Sequence, residues 1–70
     1  MATFGERLLA LRTEQHITQQ ALADYMGLSR WSVSNYEQGK NKPDFDGLML
    51  LADYFGVSLD YLTGRKDERG

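Results

Sequence analysis

Cysteine is absent from this 70-residue sequence, and histidine, proline and tryptophan each occur once. Without cysteine the chain can form neither a disulfide nor a thiolate zinc site, and one histidine cannot build a histidine-rich metal centre. Charged residues interrupt the apolar stretch near the N-terminus, so we expect neither a signal peptide nor a membrane span there. The composition predicts a cytoplasmic domain without a metal or other cofactor, and no pattern in it indicates a small-molecule ligand.

Residue types that carry catalysis are equally scarce. The sequence offers no cysteine nucleophile and no serine on a strand-to-helix turn, which argues against nucleophilic catalysis. Asp44 and Asp46 flank the start of a predicted helix, where carboxylates serve as caps rather than as a metal pair. We expect His16 to end a helix rather than to catalyse, and the chain not to be an enzyme.

The net charge of −2 by itself argues against a nucleic-acid partner, because phosphate binding depends on Lys and Arg. The distribution of charge points the other way. Residues 29–43 contain Arg30, Lys40 and Lys42 against Glu37 alone, and several acidic residues follow further along the chain. We therefore expect one basic and one acidic face.

The spacing of apolar residues predicts five short helices and no strand. The first helix covers residues 4–15, and His16 ends it in the left-handed region that few residues other than glycine adopt. Each helix has a candidate cap before its first residue, namely Thr3, Thr18, Ser29, Asp44 or Asp46, and Ser58. Each later helix ends at a glycine, namely Gly27, Gly39, Gly56 and Gly64. One domain over residues 1–64 and a polar, mobile tail over residues 65–70 are expected.

The third helix, RWSVSNYEQ, has an unusual polar side. A helical wheel places Val33 and Tyr36 toward the core together with Leu22, Leu28 and Leu51. The opposite side carries a cation, an aromatic ring, a hydroxyl and an amide, on Arg30, Trp31, Ser34 and Asn35. Arginine reads guanine, asparagine reads adenine, serine is adaptable, and an aromatic edge can touch a thymine methyl group. The alternative is a short amphipathic helix with an incidental surface tryptophan. The short, glycine-containing link to the second helix is typical of a helix-turn-helix. The cost of exposing Trp31 without a purpose, and the Lys40, Asn41 and Lys42 that follow, favour a surface that reads DNA.

The run TQQALADYMGLSRWSVSNYEQGKNKP resembles the helix-turn-helix of the phage repressor and Cro-like family, also called the xenobiotic-response-element family. The matching positions are Thr18, Gln19, Leu22, Ala23, Gly27, Val33, Glu37, Gly39 and Pro43. Further matches follow at Leu51-Ala52, Gly56-Val57-Ser58 and Tyr61-Leu62. Two positions depart from the family, since His16 stands where glycine is frequent and Trp31 is bulky for a residue that faces bases.

This resemblance implies an all-α, compact five-helix lambda-repressor-like domain that binds double-stranded DNA as a transcriptional regulator, usually a repressor. It casts Gln19, Lys40, Asn41 and Lys42 as contacts to the DNA backbone. It also pairs Arg12 with Glu37 in a partly buried ion pair between the first and third helices.

The resemblance further implies a homodimer, which we expect around residues 55–63 with Tyr61 and Leu59 at the interface. An antitoxin-like or other protein-interaction module that reuses the same fold remains the alternative. In that case Trp31 and Tyr61 would serve as aromatic anchors for a protein partner.

Overall fold

The computed structural model describes residues 2–70, and Met1, the first residue of the predicted domain, lies outside the described residues. The five helices are α1 Phe4–Glu14, α2 Gln19–Met26, α3 Arg30–Glu37, α4 Phe45–Phe55 and α5 Leu59–Leu62. Residues 2–70 contain no strand, so the prediction of an all-α domain with five helices is confirmed. In this part of the chain no helix is both long and apolar enough to span a bilayer.

Side chains at the helix starts explain where most of the helices begin. Thr3 and Glu6 form a reciprocal capping box at α1, in which the Thr3 N–H donates to Glu6 Oε1 over 2.9 Å and the Glu6 N–H donates to Thr3 Oγ1 over 3.2 Å. Equivalent side-chain caps hold α2, α4 and α5, supplied by Thr18, Asp44 and Ser58. Each cap satisfies a backbone N–H that has no partner within its own helix.

The start of α3 differs from this pattern. Ser29 occupies the expected cap position, but its side chain accepts no backbone hydrogen bond within the described residues. Its hydroxyl lies 3.4 Å from that of Ser32 instead. Ser29 thus lies at the predicted cap position, but among the described residues its side chain does not form the backbone hydrogen bond expected of a cap.

The helices end at or within one or two residues of the predicted positions. His16 adopts a φ of 58° between α1 and α2, which is the left-handed conformation expected for it. Gly27 and Gly56 end α2 and α4 in the same region. α3 ends at Glu37 and α5 at Leu62, slightly earlier than the following glycines suggested.

The core draws on all five helices. Its fully buried side chains are Leu8, Leu11, Leu22, Val33, Leu51 and Leu62. Leu28, which was expected inside, lies at the surface instead and is 38% exposed in the turn, and Tyr25 on α2 is 49% exposed. Tyr25 packs its ring on Tyr54, with 4.4 Å between the ring centroids, and the buried residues of α2 are Leu22 and Ala23.

Glycine at position 5 allows α1 to approach the end of α3 closely. A Cβ at Gly5 would lie 2.6 Å from the Glu37 carbonyl oxygen and 2.7 Å from that of Tyr36. Any larger residue would therefore separate the two helices. This close contact fixes the C-terminal end of α3 against α1.

Residues 65–69, which belong to the predicted polar tail, contact α1 and the start of α5. The Ser58 N–H donates to the Arg69 carbonyl over 2.7 Å. Arg69 also donates two hydrogen bonds to the Glu14 carboxylate, of 2.8 and 2.7 Å. Arg7, buried in α1, reaches Asp67 over 2.7 Å. The polar composition of the tail is thus matched by charged partners on the helices.

Candidate nucleic-acid interface

A tight turn between α2 and α3 presents the third helix at the surface. Gly27 takes a φ of 71° after the last residue of α2, and the Leu28 N–H donates back to the Ala23 carbonyl over 2.9 Å. Val33 is fully buried and anchors α3 on the core. The opposite side of α3 is consequently turned away from the core, as a helix that enters a DNA groove requires.

The four residues predicted to face bases share this outer side to different degrees. Arg30 and Trp31 are exposed, and Ser34 and Asn35 are half-buried. The Ser34 hydroxyl accepts a hydrogen bond of 2.8 Å from the Gln38 side chain, which leaves its own proton available as a donor. The first turn of α3 is therefore its most accessible part.

Trp31 and Arg30 contact each other. The Arg30 Cζ lies 5.6 Å from the centre of the indole ring, within the usual range of a cation–π contact. Trp31 nevertheless remains 67% exposed. From the sequence, these two side chains were expected to make separate contacts.

The loop after α3 folds against the end of that helix. The Lys40 and Asn41 N–H groups both donate to the Asn35 carbonyl, over 2.9 and 3.4 Å. Lys40, Asn41 and Lys42 are all exposed, whereas Pro43 behind them is buried. The two lysines therefore extend from a loop whose first residues are fixed to α3.

The basic side chains divide into two groups by their partners. Five of the eight form ion pairs with carboxylates, namely Arg7, Arg12, Arg65, Lys66 and Arg69. Within residues 2–70, the other three form no ion pair, and these are Arg30, Lys40 and Lys42. All three lie in α3 or the loop that follows it. The net negative charge of the chain thus conceals a local surplus of unpaired positive charge.

A polar network beneath this surface joins α1, α2 and α3. Arg12 Nε lies 2.6 Å from Glu37 Oε2, and the side chains of the pair are 12% and 7% exposed. Gln19 Nε2 donates to Glu37 Oε1 over 3.0 Å. The expected ion pair between α1 and α3 is therefore present, and Gln19 is part of it.

This network changes the interpretation of Gln19, which the family resemblance cast as a phosphate contact. Its side-chain amide is held by Glu37 in the structure, although an amide nitrogen carries a second proton. This hydrogen bond was not predicted from the sequence. The sequence offers no signal for it, because a long side chain at a helix start can point to solvent or to a neighbouring helix.

The two residues expected at a dimer interface lie on α5. Leu59 and Tyr61 are both half-buried and pack against the core. The guanidinium groups of Arg7 and Arg69 lie over the Tyr61 ring, 4.0 and 5.3 Å from its centre. Tyr61 is therefore less available for contact with a second copy than a free surface aromatic residue would be.

Arg7 was not among the predicted site residues. Its place on the same helical face as Phe4 and Leu8 is the signal in the sequence that indicates an inward-facing side chain.

A family model described as helix-turn-helix matches residues 8–62 of this chain. Among curated proteins, the chain is 44% identical over 59 residues to the SPbeta prophage-derived HTH-type transcriptional regulator YonR of Bacillus subtilis, covering 84% of this chain and 55% of that protein. It is 37% identical over 64 residues to the HTH-type transcriptional activator BcrR of Enterococcus faecalis, covering 91% of this chain and 31% of that protein. The chain thus spans about half or less of these two relatives.

A solved structure with a similar fold is that of the P22 c2 repressor in complex with a synthetic operator. The TM-score is 0.86 at 30% sequence identity, and the match covers 94% of this chain and all of that one. The similarity therefore extends over nearly the whole chain.

Proposed function

The chain belongs to the helix-turn-helix family of phage-repressor and Cro-like regulators, and from this we propose that it is a sequence-specific DNA-binding domain of a transcriptional regulator, acting as a repressor. The observation that carries this proposal is the set of unpaired cations. Arg30, Lys40 and Lys42 form no ion pair among residues 2–70, and all three belong to α3 and its following loop. Phosphate groups are the partners that such a cluster fits.

In this proposal the exposed side of α3 enters the major groove. Arg30, at the first residue of α3, presents a planar fork that can bind the O6 and N7 atoms of guanine together. Asn35 offers the amide that pairs with adenine, and Ser34 offers a hydroxyl donor. Trp31 stands beside Arg30 on the same side.

The loop after α3 then supplies contacts that position the domain on the backbone. Lys40, Asn41 and Lys42 extend from it and carry no information about base sequence when they bind phosphate. Gln19, at the first residue of α2, adds a backbone contact through the amide proton that Glu37 leaves free. The P22 c2 repressor, solved on a synthetic operator, supports this arrangement by its similar fold.

We further propose that two copies bind one operator. A single helix reads only a few base pairs. Regulators with this motif recognise a longer sequence by binding two half-sites as symmetric dimers. Leu59 and Tyr61 on α5 are the candidate contact residues, with Arg69, which lies over the Tyr61 ring, forming part of the surface that meets the second copy.

The proposal is tested by comparing Arg30→Ala with Lys42→Ala on a duplex selected from randomised DNA and on a scrambled duplex. Arg30→Ala should cost about 1–3 kcal/mol on the selected duplex and relax the preference at one base pair. Lys42→Ala should weaken binding to both duplexes alike and lower the salt slope by about one unit. Fluorescence anisotropy across a salt series measures both effects.

Two outcomes would contradict parts of this proposal. Equal losses on both duplexes for Arg30→Ala would leave Arg30 as one more phosphate contact. If the unaltered protein bound no duplex in a salt-dependent way, the DNA-binding function itself would fail, and a protein-interaction module would account better for the exposed aromatic residues.

A further inference from the structure

Arg30 and Trp31 adopt a contact that their positions do not impose. With about 3.6 residues per turn, consecutive residues of a helix point in different directions and do not face each other. The Arg30 side chain nevertheless places its Cζ 5.6 Å from the centre of the Trp31 ring. Within residues 2–70, Arg30 has no ion pair and no side-chain hydrogen bond that could hold it there.

Building on the proposed function, we propose that Trp31 is a positioning residue, whose indole ring holds the Arg30 guanidinium in place for reading a base. An arginine side chain that projects freely into water must lose several rotational degrees of freedom when it binds. The indole ring removes part of that freedom in advance. Trp31 then contributes to sequence preference through Arg30, without itself specifying a base.

The geometry of the two groups makes stacking compatible with reading. The guanidinium is planar, and its N–H donors lie in that plane, whereas a cation–π contact uses its face. A guanidinium resting on the indole can therefore still direct two donors at the O6 and N7 atoms of guanine. An exposed cation–π contact corresponds to an effect of about two- to fivefold on an equilibrium constant.

The free protein provides a first test that does not depend on DNA. Protons above an aromatic ring are shielded by its ring current, so the Arg30 side-chain protons should resonate upfield of their usual positions in the NMR spectrum. The displacement should persist in Trp31→Phe and disappear in Trp31→Leu, which keeps apolar bulk without a ring. Arg30 protons at ordinary positions in the unaltered protein would overturn the proposal.

Binding measurements provide the second test, through a double-mutant cycle. On a duplex selected from randomised DNA, Trp31→Ala should lower the discrimination at the base pair read by Arg30 by about two- to fivefold. The same change in an Arg30→Ala background should have almost no further effect. Trp31→Phe should keep most of the discrimination and Trp31→Leu should lose it.

Phe45→Ala is the matched control, because Phe45 is 68% exposed and Trp31 67%. It should leave the base preference unchanged, and unchanged melting temperatures would show that every variant is folded. The positioning role would be overturned if Trp31→Ala and Arg30→Ala lowered the discrimination at this base pair independently of each other. It would also be overturned if Phe45→Ala lowered the discrimination as much as Trp31→Ala. Failure of the unaltered protein to prefer any sequence would instead contradict the proposed function, and the positioning role with it.

Discussion

Glu37 accepts three hydrogen bonds from two other helices, although it is the last residue of α3. Arg12 Nε and Nη2 donate to its two oxygens over 2.6 and 3.1 Å, and Gln19 adds a third bond of 3.0 Å. The remaining Arg12 nitrogen, Nη1, donates to the Ile17 carbonyl over 2.8 Å. A buried ion pair stabilises a fold only when its other polar atoms are also satisfied. That condition is met here, so the pair can fix the position of α3.

Glu37→Gln is the first prediction at the scale of residues. It keeps the shape of the side chain but leaves Arg12 charged and nearly buried without a carboxylate, which should cost about 3–5 kcal/mol of unfolding free energy. The control is Asp60→Asn, because Asp60 lies 3.6 Å from Arg65 in an exposed pair of a kind that contributes less than about 1 kcal/mol. Urea denaturation measures both. Similar small losses for the two variants would show that the Glu37 network is not a buried structural pair.

The residues involved show how far the sequence could predict such contacts. Arg12 and Glu37 could be paired because each lies on the inner side of its helix and the family resemblance joins them. Gln19 could not, because a long side chain at a helix start can point to solvent or to a neighbour, and only the packing of α2 on α3 decides which. Arg7 was missed for the same reason, since its partners lie some sixty residues away, as the separation from Asp67 shows.

At the scale of elements, the starts of α2 and α3 differ although their sequences look alike. Thr18 accepts a hydrogen bond of 3.0 Å from the Ala21 N–H, whereas Ser29 accepts none from the backbone in the described part of the chain. Thr18→Ala should therefore destabilise the domain by about 1 kcal/mol, the usual contribution of a capping side chain. Ser29→Ala should have a clearly smaller effect. Chemical denaturation of the two variants checks this, and equal losses would contradict the difference in capping.

The elements were the most predictable level of this structure. Apolar spacing, caps and glycine stops predicted all five helices, because each signal acts within a few residues of the chain. The exposure of Leu28 and Tyr25 was not predictable in this way. It depends on the path of the turn after Gly27 and on the stacking of Tyr25 on Tyr54, a contact between residues far apart in the sequence.

At the scale of the whole molecule, the proposed dimer makes a prediction about spacing on DNA. Two copies related by a two-fold axis should protect two half-sites about 34–36 Å apart, which is one helical turn. Hydroxyl-radical footprinting on a selected operator measures this. Sedimentation of the free protein should show mainly monomer, because the candidate contacts on α5 are half-buried. Protection of a single half-site, without a second one a turn away, would contradict the dimer.

The attachment of the tail should depend on pH through Glu14, which joins α1 to Arg69. The two hydrogen bonds from Arg69 lower the pKa of Glu14 below its ordinary value of 4.5, and the same bonds raise the pKa of Arg69. The carboxylate is the form that holds the tail, so this contact is fully present above pH 4.5 and is lost as the pH falls through the lowered pKa. Arg69 stays charged throughout and does not add to the transition.

The expected result is a tail that is ordered near neutral pH and becomes mobile in acid before the helices unfold. Backbone ¹⁵N relaxation of residues 65–69 measures this order, with the amide of Ser58 as a second reporter, since it donates to the Arg69 carbonyl. Glu14→Gln is the matched variant and should release the tail at every pH. The pKa of Glu6 is also lowered, by its capping-box hydrogen bonds with Thr3. Because Glu6 is unchanged in Glu14→Gln, the effect of its titration on the relaxation data remains in the variant and can be subtracted. A tail as ordered in the Glu14→Gln protein as in the unaltered protein would contradict this prediction. In that case the backbone contact to Ser58 and the pairing of Arg7 with Asp67 would be enough to hold the tail without the pair of Glu14 and Arg69.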